Sequence, residues 1–258
     1  MIRIVFAPDF VEEAVLLAEG ALSADDRRRF RRERNPLYEI GDADRRDEAF
    51  AKLHARWFDR FGVRRAIDTV VNEMLAAVES VEEARVLRAL TRREEGADLV
   101  DRVVAGGSGQ KPVIVIRLRP MTALNDGATL ALLRRELMHV GDMLDPAFGY
   151  ARSLPAPDGP LTETALRDRY RVLWDTTIDG RLARKGRLAE GSARARWDEF
   201  AATFPMLEGQ MRTAFDAWFD RDRPTHAEIV AFARTPTLHL SEDFHADHCV
   251  AAKLDDVR

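Results

Sequence analysis

The sequence predicts an α-dominated α+β fold, with one short sheet and many helices. Three observations carry this reading. Apolar residues recur at helical spacing over most of the chain; only Val113-Ile114-Val115-Ile116 has the β-branched density of a strand; and Gly and Pro gather into a few breaks. The 258 residues are 46 % hydrophobic and 33 % charged, which excludes a disordered or fibrous chain and suffices for a core without disulfides. The chain reads as a single domain, 1–258. It has a helical N-terminal part (1–104), a core around the strand-like run (111–182), a helical C-terminal layer (190–235) and a weakly patterned tail (236–258).

Residues 2–7 are a short strand or an apolar entry to the first helix. Asp9 and Glu12 have capping-box spacing, and Gly20 is a stop. Ser23 with Asp26 opens a second helix whose basic end is a solvated face. Phe50, Leu53, Trp57 and Phe58 mark a helix over 43–60, ended by Gly62, and Ile67, Val70, Val71 and Met74 mark another over 64–78. Ser80 and Glu83 predict a capped helix through Ala84, Val86, Leu87 and Leu90, followed by a further turn carrying Leu99, Val100 and Val103. The Gly-rich segment 105–110 lacks the Gly-Lys-Ser/Thr ending of a P-loop and runs into the strand at 113–116, so it is read as a break. A turn at Asn125-Asp126-Gly127 leads to a strong helix over 128–144, stopped by Pro146. Further helices are expected at 163–179, 193–203, 206–222 and 226–234.

Net charge is −4 (40 basic and 44 acidic residues), which argues against a nucleic-acid partner. No run approaches the length of a membrane span, and the opening apolar run meets Asp9 too soon for a signal peptide. The single cysteine, Cys249, provides no disulfide framework and no four-cysteine zinc site, so a cytoplasmic location is expected.

The segment with chemistry is Arg135-Glu136-Leu137-Met138-His139, inside the predicted helix. It resembles the H-E-x-x-H helix of zinc metallopeptidases, the zincins, with Arg in place of the first His. In that helix two His at i and i+4 share one face and one zinc ion, and the Glu between them deprotonates the metal-bound water. The resemblance implies a zincin-like core in which a nearby edge strand lines the substrate cleft. It assigns the general base to Glu136 and the second ligand to His139. Arg135 falls on the first ligand and alters the site, because a guanidinium has no lone pair to donate. Asp175 and Asp179, at i and i+4 downstream, are candidates for the third ligand, with Asp142 and Asp145 as secondary candidates.

The implied protein is a metallopeptidase-like hydrolase homologue with a degenerate zinc site. If active, it would use zinc and act on a peptide or protein; otherwise it would hold no cofactor. An Arg in the vacated position is expected to pair with a carboxylate, Asp175 or Asp179. The alternative is a non-catalytic helical protein-interaction domain, in which His139 is a partly buried histidine bonded to a neighbour such as Asp142, and Arg135 and Glu136 are ordinary surface pairing. Elsewhere, Glu242/His245 with His239, Asp247, His248 and Cys249 make a polar tail, and Trp174, Trp197 and Trp218 with Phe200, Phe204, Phe215 and Phe219 read as core.

Overall fold

The structure, a computed structural model, describes residues 2–76, 78–100, 112–157 and 161–237. Among the described residues the fold is mostly helical with one four-stranded mixed sheet, an α-dominated α+β arrangement. The chain divides into two compact units, Met1–Leu144 and Asp145–Arg258. The boundary falls inside the 111–182 core expected from sequence. The motif helix belongs to the first unit and the acidic helix after it to the second.

The first unit runs β1 (Arg3–Phe6), α1 (Pro8–Glu19), α2 (Ala24–Arg34), α3 (Ala43–Arg60), α4 (Val63–Met74), β2 (Glu83–Arg88), β3 (Gly96–Val100), β4 (Val113–Leu118), α5 (Pro120–Ala123) and α6 (Asp126–Leu144). The strand order is β1-β2-β4-β3, with β1, β2 and β4 parallel and β3 antiparallel at the edge. Parallel neighbours need a long crossover, and α1 to α4 supply it between β1 and β2. In β4 only Arg117 is exposed, as suits an interior strand covered on both faces.

Several local expectations hold. Ser23 caps α2 by accepting from the Asp26 amide at 3.1 Å. Gly62, at φ 77°, supplies the left-handed residue between α3 and α4. Others are corrected. The Asp9–Glu12 box does not form: α1 starts at Pro8, whose fixed φ suits a first turn, and the Asp9 carboxylate accepts from the Phe10 amide instead. The helix expected from Ser80 is strand β2. Its Ala84 and Val86 are buried around an exposed Arg85, a period of two, and Glu83 binds Arg3 and Arg85 rather than capping.

The helical turn expected at Leu99 and Val100 is strand β3, with Ala97 opposite Ile116 and Leu99 opposite Ile114. The turn expected at 125–127 is a helix start. Asn125 Oδ1 accepts from the Ala128 amide at 3.1 Å, so α6 begins at Asp126.

The first unit's core gathers Phe6, Phe10 and Phe58, with ring centroids 5.2–6.4 Å apart, together with Ile114, Ile116, Leu133 and Leu137. Within this apolar company lies His54 of α3, only 5 % exposed. Its Nε2 is buried with no hydrogen-bond partner among the described residues.

The second unit holds α7 (Glu163–Arg184), α8 (Ser192–Thr203), α9 (Met211–Phe219) and α10 (His226–Arg234), with α8, α9 and α10 packed on α7. Residues 172–180 of α7 are buried without a break, the pattern of a helix enclosed all round. The Thr176 and Thr177 hydroxyls are satisfied by the helix itself, donating to the Val172 and Trp174 carbonyls at 2.6 and 2.8 Å. A side chain at Gly180 would collide with the Phe219 carbonyl, so glycine permits the close approach of α7 and α9. The single helix expected over 206–222 is divided. Pro205 opens a 3-10 turn, Glu208 bends the chain at φ 39°, and α9 starts at Met211. Val103, the 105–110 segment and the tail residues 239–249 lie outside the described residues.

Burial pushes the His54 imidazole below its ordinary value, with Arg34 adding to the effect and Glu12 opposing it. The unfolded chain therefore binds this proton more readily than the folded one. The associated stability is fully present above about pH 6.5 and is lost as pH falls through the folded value. His54→Phe removes both this loss and the unpaired nitrogen. Urea unfolding is expected to show the variant more stable by about 1 kcal/mol at pH 7, with a margin that widens towards pH 5. A variant less stable than the natural chain, or a margin independent of pH, would refute this.

Candidate functional site

Helix α6 places the motif residues on one face. Arg135 and His139 are one turn apart with Glu136 between them, all three half-buried, and Leu133, Leu137, Met138 and Val140 anchor the helix in the core. Arg134, on the same helix, pairs with Glu73 of α4 at 3.3 Å. Asp142 is buried one turn beyond His139.

The Glu136 carboxylate lies against the backbone of β3. Its Oε2 accepts from the Ala97 amide at 3.3 Å, and a Cβ at Gly96 would come within 3.1 Å of the same oxygen. Glycine thus leaves room for the carboxylate on the strand, and only a small displacement separates Gly96 from a clash. The strand recognised in the sequence, β4, is interior. The edge strand beside the motif helix is β3.

That strand is pinned at its start by Glu95, whose carboxylate accepts from the Arg119 amide at 3.0 Å and pairs with the Arg119 side chain. Burial acts to raise the Glu95 pKa. The hydrogen bonds from Thr122 and Arg119 outweigh it and hold the carboxyl below its ordinary value.

The second unit holds three of the acidic candidates, Asp175, Asp179 and Asp145. Asp175 and Asp179 are buried one turn apart on α7, and both are engaged by a buried arginine of α8. Arg196 Nε lies 2.7 Å from Asp179 Oδ2, and Arg196 Nη1 lies 3.3 Å from Asp175 Oδ2. Glu199 also binds Arg196, and Arg171 joins from the other side at 2.8 Å from Glu199 and 3.4 Å from Asp175. One oxygen of each aspartate is therefore committed to a guanidinium. Asp145 is an exposed turn former, accepting from the Ala147 amide through Oδ1 at 2.9 Å and from the Phe148 amide through its carbonyl.

Two groups escaped the sequence reading. Arg196 stands four residues before Phe200 on the buried face of α8, so a charge on an apolar stripe was the available signal. Tyr170 and His226 form a buried pair, Oη to Nδ1 at 2.7 Å, beside the stacked rings of Phe148 and Trp174. His226 had no such signal, because its partner lies 56 residues away.

Among the described residues, no group of three or more His, Cys, Asp or Glu side chains is arranged to hold a metal ion, and no helix is long and apolar enough to cross a membrane. No family model, curated protein or solved structure matches the chain.

The Arg196 cluster yields a stability prediction. Arg196→Ala leaves two buried carboxylates without their shared cation, and breaking a buried pair in this way costs about 3–5 kcal/mol. Chemical denaturation is expected to show a loss of that size. A loss below about 1 kcal/mol, the range of exposed pairs, would mean the cluster is solvated.

Proposed function

We propose that the chain is a zincin-like metallopeptidase homologue with a degenerate zinc site. Glu136 stands in the place of the general base, His139 in that of the second ligand, and Arg135 in that of the first. On sequence grounds Asp175 or Asp179 is the would-be third ligand, with Asp142 and Asp145 as secondary candidates. The observation that carries the reading is the Glu136 carboxylate resting on the backbone of an antiparallel edge strand, 3.3 Å from the Ala97 amide. A base at the edge of a sheet is where an extended peptide would present its carbonyl, since an edge strand offers unpaired backbone groups.

As it stands, the donor set does not fit catalytic zinc. Such a site takes three protein ligands, and Arg135 offers five N–H donors and no lone pair. The chain is accordingly weak or inactive as a hydrolase, and any substrate it retains is a peptide or protein. Its single cysteine supports a cytoplasmic location, and its net charge of −4 argues against a nucleic-acid partner.

The test is the zinc content of the natural chain and of Arg135→His, purified side by side. The natural chain is expected to carry no stoichiometric zinc. The variant is expected to take up about one ion per chain and to melt at a higher temperature with zinc than without it. Uptake by neither would leave the non-catalytic helical interaction domain as the better account. Stoichiometric zinc in the natural chain would show that the site is not degenerate.

A further inference from the structure

Among the described residues the first unit's sheet ends at β3, and the pairing register shows which way that strand's backbone faces. In an antiparallel pair only alternate residues exchange hydrogen bonds with the partner strand. The Leu118 carbonyl of β4 accepts from the Ala89 amide, on the β2 side, so Leu118, Ile116 and Ile114 turn their backbone groups away from β3. Ala97 and Leu99, opposite Ile116 and Ile114, therefore turn theirs outward. Both outward amides are taken, each by a carboxylate. Glu136 of α6 accepts from the Ala97 amide at 3.3 Å through Oε2, and Asp98 accepts from the Leu99 amide at 2.8 Å through Oδ1. Gly96 leaves the room that Glu136 needs there.

We propose that Glu136 and Asp98 close the β3 edge against strand addition by a second copy of this chain. An added strand pairs with the outward N–H and C=O groups of an edge. With both donors occupied, an incoming strand must first displace two charged acceptors, which hold an N–H more strongly than a neutral carbonyl does. The second copy is the partner against which the charges are placed. A two-fold antiparallel pairing that uses both amides joins Ala97 to Leu99 of the other copy and sets Asp98 opposite Asp98. Like charges directly opposite each other are destabilising. In Gly96-Ala97-Asp98-Leu99-Val100 the aspartate is the only charge, and Val100 beside it is 42 % exposed. Without Asp98 this edge is an apolar, self-complementary strand of the kind that pairs with its own copy. The guard needs the Glu136 carboxylate and no metal, so it goes beyond the zinc reading and holds whether or not Arg135→His takes up zinc.

Glu136→Ala combined with Asp98→Ala removes both acceptors from the full chain. Sedimentation velocity over a concentration series is expected to show the double variant doubling its mass as concentration rises, while the natural chain keeps its mass. In dilute solution, site-resolved hydrogen exchange is expected to run about tenfold faster at the Ala97 and Leu99 amides than in the natural chain, the effect of one hydrogen bond at each. Asp98 is exposed, so Asp98→Ala alone keeps the fold; it is expected to speed exchange at Leu99 only and to associate more weakly than the double variant. Adding Ala97→Pro to the double variant deletes an outward donor and none that faces β4, and is expected to abolish the association. Association of the variants no greater than that of the natural chain, unchanged exchange at the two amides, or association that survives Ala97→Pro would each overturn the proposal.

Discussion

The placement of β4 between β2 and β3 governs the first unit. A strand buried along nearly its whole length must pair on both sides and be covered on both faces, because its backbone groups find no water there. Pairing on one side brings in β2 and, through it, β1. Pairing on the other brings in β3, which has no further neighbour among the described residues and so stands at the edge. Helix α6 lies beside that edge, and its glutamate reaches a backbone amide that the sheet leaves available. The candidate chemistry of the motif helix thus depends on a strand pairing rather than on the motif itself.

The helices were legible because their period is local. Phe50, Leu53, Trp57 and Phe58 announce α3 without reference to anything outside it, and Ser23 announces the start of α2. The strands β2 and β3 were not. Glu83 to Arg88 reads as a capped helix until Val113 to Leu118 is laid alongside it, thirty residues further on. Leu99 and Val100 become strand residues only through the same partner. Local propensity lost to tertiary pairing at both places. Asn125 failed for another reason: the same side chain that starts a turn also caps a helix, and the sequence does not say which will follow.

The same asymmetry holds for the polar groups. Glu136 and His139 stand out in the sequence by their spacing, and both lie on α6. The surroundings of Asp175 and Asp179 were not identifiable, because Arg196 comes from a separate helix. Yet both Arg196 and His54 carried a readable sign, a polar residue placed on an otherwise apolar helical stripe. Such residues are expensive to bury and persist when partnered or used. Arg196 has its partners within the second unit. His54 Nε2 has none among the described residues, and burial favours the neutral form of its ring.

The central claim is that a single guanidinium at position 135 stands where a metal-binding imidazole would complete the motif helix. The visible absorption spectrum of Arg135→His loaded with Co²⁺ tests it most directly, because cobalt reports the number and geometry of its ligands. The account predicts intense visible bands, the mark of a four-coordinate site of the kind zinc adopts, and their absence from the natural chain under the same conditions. The weak spectrum of hydrated six-coordinate cobalt from both chains would contradict it, since the helix would then lack the geometry the motif implies.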